Sequence, residues 1–299
     1  MQLEILRLNV VECASEDFFG TYFVPERPVI LTGLEPMLPS GLGEKIWSLA
    51  QTGEAAGGNG YFSAPIGLGH AEVPVPKIVE QVFARDDIVH KPQPLRLWMQ
   101  PEGHETGLHY DGNSLCGFNW HVAGRKRWLL LAPTRLLPMK PLTYLAVTPD
   151  GFEPSSRKYD VAEFVVEEGE MLFIPRYWAH RVTALGQVNA NLNWVWTRKA
   201  PNRATPVGRR ESATLKMRSL IGGRLDSLVE PRVPLHDYGD GGPGMFTLYT
   251  EQIGRAELLQ FIAREFVNCL MLPLRARAVG RRQQMLAASN FHQSLHPGP

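Results

Sequence analysis

Over its first two thirds the chain alternates apolar and polar residues in short runs. Leu95-Arg96-Leu97-Trp98-Met99-Gln100 shows the pattern most plainly. Successive side chains of a strand leave opposite faces, so such runs predict strands. Further strands are predicted at 3–11, 28–33, the segment carrying His109, 118–123, 125–131, 164–166, 171–174 and 186–196. The runs 118–123 and 125–131 read as a hairpin turning at Ala123-Gly124. Helical spacing is confined to fewer places. Ser15 reads as an N-cap ahead of Glu16 and Asp17, and 79–89 has helical character before Pro92 and Pro94. Leu258, Leu259, Ile262, Phe266 and Leu270 recur at helical spacing, and an Arg-rich helical run follows over 274–288. Strands and helices do not alternate. The pattern predicts a mainly β fold, a small antiparallel barrel or jelly roll over residues 1–200, with a helical appendage over 201–299. The irregular stretch 134–160 is long enough to be functional and could wall a substrate entrance.

Composition changes this picture little. The 299 residues are 44% hydrophobic and 20% charged, with a net charge of +1. That balance gives no overall pull toward nucleic acid or membrane. Cys13, Cys116 and Cys269 are odd in number and far apart, which argues against a disulfide framework or zinc ribbon. The glycine-rich run 53–60 lacks a following Lys-Ser/Thr, so it is a loop and not a phosphate cradle. No signal peptide or membrane-length apolar run is read, and the expected location is cytoplasmic.

The chemistry gathers around His109-Tyr110-Asp111. A His and an Asp two apart on a strand face one space, and His180 follows a separate predicted strand. Two His and one carboxylate make the facial triad of non-haem Fe(II) oxygenases, which leaves metal positions open. His104, in a predicted turn, and His121, with no carboxylate at matching spacing, compete as ligands. Lys126 shares a strand face with Trp128 and Leu130, so it is either a buried ammonium needing an anion or a solvated member of Arg125-Lys126-Arg127. Asn189, Asn191 and Asn193 share one face of the last strand, opposite Val188, Ala190, Leu192, Trp194 and Trp196. That amide stripe either lines a polar interior or lies in water.

Trp98, Pro101-x-Gly103-x-x-Thr106-x-Leu108-His109-Tyr110-Asp111, Gly124-Arg-Lys126-Arg-Trp, Gly169-Glu-Met-Leu-Phe-Ile-Pro175-x-x-Trp178-x-His180 and Asn193-Trp194 together resemble the JmjC-domain cupin Fe(II)/2-oxoglutarate oxygenases. The resemblance covers about residues 15–197 and is nearest to the small hydroxylases, such as the factor-inhibiting-HIF asparaginyl hydroxylase and the tRNA wybutosine hydroxylase. It implies a double-stranded β-helix, with Fe(II) held by His109, Asp111 and His180. It implies 2-oxoglutarate as cosubstrate with O2, its distal carboxylate on Lys126 and Thr106, Asn193 nearby and Trp98 lining the pocket. Tyr110, Asn113, Asn119, His121, Asn191 and Trp178 are the residues assigned to the substrate pocket. The chain departs from the family between Asp111 and Gly124, which is about two residues longer than usual, so Asn113 and Asn119 compete for the Asn of that interval.

The implied activity is hydroxylation of a C–H bond, with release of succinate and CO2. The expected substrate is a protein or peptide side chain or a small metabolite. RNA is a third class, suggested by the basic segment 198–218, which holds seven Lys/Arg. In related small hydroxylases C-terminal helices form dimers, so a homodimer is expected through 201–299. The competing readings are a non-catalytic cupin binding module and, more remotely, a zinc hydrolase on the same barrel.

Overall fold

The computed structural model describes residues 1–13, 15–38, 41–42, 62–65, 75–89, 96–111, 115–137, 146–147, 152–199, 202–221, 256, 259–260, 262–264 and 266–267. The strands are β1 Arg7–Asn9, β2 Val29–Thr32, β3 Phe62–Pro65, β4 Ile88–Val89, β5 Arg96–Pro101, β6 His109–Tyr110, β7 Leu115–Ala123, β8 Lys126–Leu131, β9 Ala146–Val147, β10 Val161–Val166, β11 Met171–Ile174, β12 Ala179–Ala184 and β13 Val188–Arg198. They form two sheets. The larger runs β1-β2-β11-β7-β13-β5-β3, with β4 also on β13, and the smaller runs β10-β8-β12-β6-β9. All pairs are antiparallel except β1–β2. Two facing sheets with this crossing order make the jelly-roll barrel that the strand pattern predicted.

Several local expectations change. The predicted hairpin is a corner between sheets: β7 pairs with β11 and β13, whereas β8 pairs with β10 and β12. Alternation predicts a strand but not its partner, and a tight turn can also carry the chain from one sheet to the other. Gly124 makes that corner at φ +65, and a Cβ there would lie 2.2 Å from the Val188 carbonyl oxygen. The helix expected over 79–89 is shorter and earlier, Lys77–Phe83, because Ile88 and Val89 are drawn into pairing with Arg198 and Thr197. Ser15 is the first helical residue rather than the cap, in a short turn Ser15–Phe18 that continues as a π-turn Phe19–Phe23. In the C-terminal region, helix Pro206–Ile221 and helical positions between 256 and 267 are described. Leu258, Leu270 and the runs 53–60 and 274–288 lie outside the described residues.

The core is layered. On the outer side of the large sheet, Phe118, Trp120, Leu192, Trp194 and Trp196 pack against Phe18 and Phe23 and against Ile78, Val79 and Val82 of the helix Lys77–Phe83. Between the sheets lies an apolar cluster of Ile30, Leu172 and Ile174 from one sheet and Trp128, Leu130 and Val182 from the other. Next to that cluster, the interior over β5, β7 and β13 is polar.

Candidate metal centre

Strand β6 places His109 directly opposite His180 of β12, and Asp111 follows immediately after β6. Directly opposed residues of an antiparallel pair bring their side chains into contact. The two imidazole rings lie 4.3 Å apart between centroids. His109 Nε2 is 3.9 Å from Asp111 Oδ1, and one donor atom from each of the three residues lies within 4.8 Å of the others. Burial falls from His180 through His109 to Asp111, so the group is walled on the barrel side and open toward solvent.

Both imidazoles are oriented in the same way. His109 Nδ1 is 2.7 Å from the Gly107 carbonyl oxygen, and His180 Nδ1 is 3.2 Å from that of Trp178. A carbonyl only accepts, so each Nδ1 carries a proton and Nε2 is the nitrogen left for the donor group, the arrangement in which metal-binding histidines are held. Burial, then the neighbouring His109, pushes His180 down to about 4, so it is neutral at neutral pH. Two imidazole nitrogens and one carboxylate oxygen on one side of a space suit a divalent first-row metal with open positions.

The turn that delivers His180 is clamped from outside the site. Arg176 Nε donates to Glu26 Oε1 at 2.7 Å, Trp178 Nε1 donates to the Glu26 carbonyl at 3.0 Å, and Asn202 Nδ2 donates to Glu26 Oε2 at 2.6 Å. Tyr177 between them takes φ +69, a costly conformation for a bulky residue that this clamp holds in place. Sequence reasoning missed Glu26 and Arg176. Their pairing spans 150 residues, and no local pattern signals it.

Deeper in the interior, Lys126 is 1% exposed, which decides between its two readings in favour of burial. Its Nζ donates to Asn191 Oδ1, and burial pushes the ammonium down to about 7. Among the described residues no carboxylate pairs with it. A buried ammonium with only an amide partner is unfavourable until an anion arrives.

The amide stripe is buried at Asn189 and Asn191, 0% and 4% exposed, and half-buried at Asn193. Asn191 Nδ2 donates to Asn119 Oδ1 at 3.3 Å and also to Asn193 Oδ1. Asn119 therefore faces the interior with Lys126, while Asn113 lies outside the described residues. Trp98 stands beside Asn191 in register on β5. Thr106 runs alongside β12, its Oγ1 accepting from the Val182 amide at 3.0 Å. His121 is brought to the same interior but not to the three-residue group, and it accepts from Trp128 Nε1 at 3.2 Å.

Two pocket expectations fall elsewhere. Tyr110 points away from His109 and packs in a separate apolar cluster with Leu108, Leu131 and Tyr177, because alternate residues of a strand take opposite faces. Trp178 packs beside Trp128 and Leu130, its N–H spent on Glu26. His104 sits outside the three-residue group, its Nδ1 3.4 Å from Gln100 Nε2.

Comparison with known proteins agrees with this geometry. A family profile described as a cupin-like domain matches residues 72–202, a span that contains His109, Asp111, Lys126 and His180. The arginine-specific demethylase JMJ20 of Arabidopsis thaliana is 32% identical over 120 residues, 33% of this chain and 25% of that protein. HSPB1-associated protein 1 of Homo sapiens is 32% identical over 113 residues, 33% of this chain and 23% of that protein. The 2-oxoglutarate and iron-dependent oxygenase JMJD4 of Gallus gallus is 31% identical over 109 residues, 33% of this chain and 26% of that protein. The matched segment spans about a quarter of the length of these relatives. Among the described residues no helix is long and apolar enough to cross a membrane. Profile and two-sheet barrel agree that residues 72–202 carry a cupin-like domain, and a third of the chain is similar in sequence to these relatives.

Proposed function

We propose that the protein is an Fe(II)- and 2-oxoglutarate-dependent oxygenase that hydroxylates a C–H bond of a protein or peptide side chain. The observation that carries this reading is the pairing of two sites in one barrel: the His109, Asp111 and His180 donors, and a buried Lys126 on the same small sheet with no carboxylate partner among the described residues. When bound, iron with 2-oxoglutarate and O2 supplies the oxidising power, yielding succinate, CO2 and a hydroxylated product. His109 and His180 offer neutral Nε2 lone pairs and Asp111 a charged oxygen, leaving one net positive charge on the metal for an anionic chelator. Lys126 and Thr106 receive the distal carboxylate, and Asn191 orients the ammonium. Asn193 and Trp98 flank it, and Trp128, Leu130 and Val182 keep water from its other side.

A protein substrate is favoured by the arginine specificity named for JMJ20 and by the open side of the donor group. Strand β9, within the 134–160 stretch, pairs with β6 and sets Val147 opposite His109, so this part of the stretch lies beside the donor group, as a wall of a substrate entrance would. The RNA reading loses support at the basic segment. Arg198 is bound to Asp87 at 2.9 Å and Arg210 is buried, while the side chains of Lys216 and Arg218 lie outside the described residues.

The deciding experiment needs no substrate. Fe(II) is added anaerobically to the apo-protein, then 2-oxoglutarate, and the weak visible metal-to-ligand charge-transfer band is recorded, with His109→Ala as control. The band appears in the native chain and vanishes in the variant. Iron demonstrably bound to the folded chain without a band would overturn the reading and leave a binding module.

A further inference from the structure

We infer that His121 is a neutral anion-binding donor of the cosubstrate pocket, its Nδ1–H joining Lys126 on the distal carboxylate of 2-oxoglutarate. The inference rests on the oxygenase reading above and extends it to a residue that is neither a metal ligand nor part of the amide stripe.

Trp128 fixes the tautomer. An indole N–H only donates, and Trp128 Nε1 lies 3.2 Å from His121 Nε2. Nε2 is therefore the acceptor, and the ring proton sits on Nδ1. A doubly protonated ring would set two donors against each other. Burial, then the Lys126 charge, pushes the ring well below its usual value and keeps it neutral. The residue is 0% exposed, and among the described residues its Nδ1 has no hydrogen-bond partner. A buried donor without an acceptor is rare in a folded protein, and a ligand that supplies the acceptor explains it.

Position identifies that ligand as an anion. His121 lies opposite Asn191 in register, and Asn191 is the residue to which Lys126 donates. His121 and Lys126 thus flank the Gly124 corner from the two sheets, and among the described residues neither donor meets a carboxylate. The His121 backbone is held as well, its N–H donating to the Glu170 carbonyl at 2.9 Å and its carbonyl accepting from Gly169 at 2.8 Å. The ring is therefore a fixed donor, set in place before the ligand arrives. Trp128 stands between the two histidines, its ring 5.8 Å from His180 and 5.9 Å from His121 between centroids. A ligand chelating the metal beside His180 must extend past that indole to reach His121, which fits the far end of a dicarboxylate and not its chelating end.

The test uses the full chain loaded with Zn(II), so that nothing turns over, and two ligands. These are 2-oxoglutarate and 2-oxobutyrate, which keeps the 2-oxo acid end and lacks the distal carboxylate. His121→Phe is expected to weaken 2-oxoglutarate binding by about tenfold, the worth of one hydrogen bond to a charged group. It should leave 2-oxobutyrate binding unchanged, and His121→Gln, which restores an N–H, should recover most of the loss. Nitrogen-15 spectra of the native chain read the tautomer directly. The free protein should show Nδ1–H, and that proton should shift with 2-oxoglutarate but not with 2-oxobutyrate. Should His121→Phe fail to fold, the spectra and His121→Gln decide alone. Equal 2-oxoglutarate affinity in His121→Phe, or equal shifts with both ligands, would overturn the inference and make the donor a partner for internal water. If the native Zn(II) chain binds neither ligand, the oxygenase reading itself fails. That outcome is separate from the selective loss that concerns His121.

Discussion

The two faces of β13 are both buried and serve different ends. On the outer face Ala190, Leu192, Trp194 and Trp196 meet the N-terminal aromatic residues and the helix Lys77–Phe83, and the packing is almost wholly apolar. On the inner face Asn189, Asn191 and Asn193 meet β5, β7 and Lys126, and the contacts are amide hydrogen bonds. An apolar face lowers the free energy of folding in proportion to the area it removes from water. A buried polar face gains far less, because its hydrogen bonds replace ones it made to water. The outer face therefore holds the barrel together, while most of the inner face fits the ligand role proposed above.

The largest expected effect breaks the outer face. Trp196 touches the rings of Phe23, Phe83, Phe118 and Phe173, and Trp196→Ala should cost about 3–5 kcal/mol of folding stability. Denaturant unfolding measures that loss. Metal affinity of the molecules that remain folded should not change.

The inner face responds in the opposite sense. Lys126→Met removes a buried charge without an acidic partner, so the ligand-free protein should become more stable. The requirement for 2-oxoglutarate should rise by at least about a hundredfold, because one member of a buried charge pair is gone. A pH series sharpens the point. Burial lowers the Lys126 value from 10.5 to about 7, so between these limits the unfolded chain holds a proton that the folded chain has released. The native protein should therefore gain stability as pH rises from about 7 toward 10.5, in the absence of ligand. Lys126→Met should lose that slope, and saturating 2-oxoglutarate should flatten it in the native chain. A native profile that falls over this window would contradict the burial of the ammonium.

The smallest effect divides the inner face itself. Asn189 accepts from the Arg125 amide at 3.2 Å and the Gly186 amide at 3.1 Å, and donates to the Gln100 carbonyl at 3.3 Å. It ties down the corner at Gly124, as a structural residue would. Asn189→Ala should cost about 2 kcal/mol of stability, read by thermal unfolding, for the backbone amides left unsatisfied. Its effect on 2-oxoglutarate affinity should be far smaller than that of Lys126→Met. A comparable loss of affinity would place Asn189 with the ligand and not with the corner.

The strand pattern, the barrel class and the shared face of His109 and Asp111 were legible along the chain because each is local, whereas His180 reaches them only through the pairing of β12 with β6. Period-two alternation announces a strand, and an HxD on a strand must face one way. What alternation leaves open is which strand pairs with which. The segments on either side of Gly124 look like a hairpin, yet they belong to different sheets, because the turn geometry and the Val188 contact are set by chain far away in sequence. The same limit explains Tyr110, whose neighbour His109 fixes the face it takes but not what covers that face.

By itself the sequence determined a mainly β barrel, the residues able to bind a metal, and two undecided readings for Lys126 and the Asn stripe. Only the tertiary structure decided those readings, because burial is a property of what packs over a residue and not of the residue. It also paired Glu26 with Arg176 across 150 positions and set Trp128 against His121, which turned an undistinguished histidine into a donor of one defined tautomer. Contacts between distant segments carry no local periodicity. They exist only once both sheets have closed around a common interior.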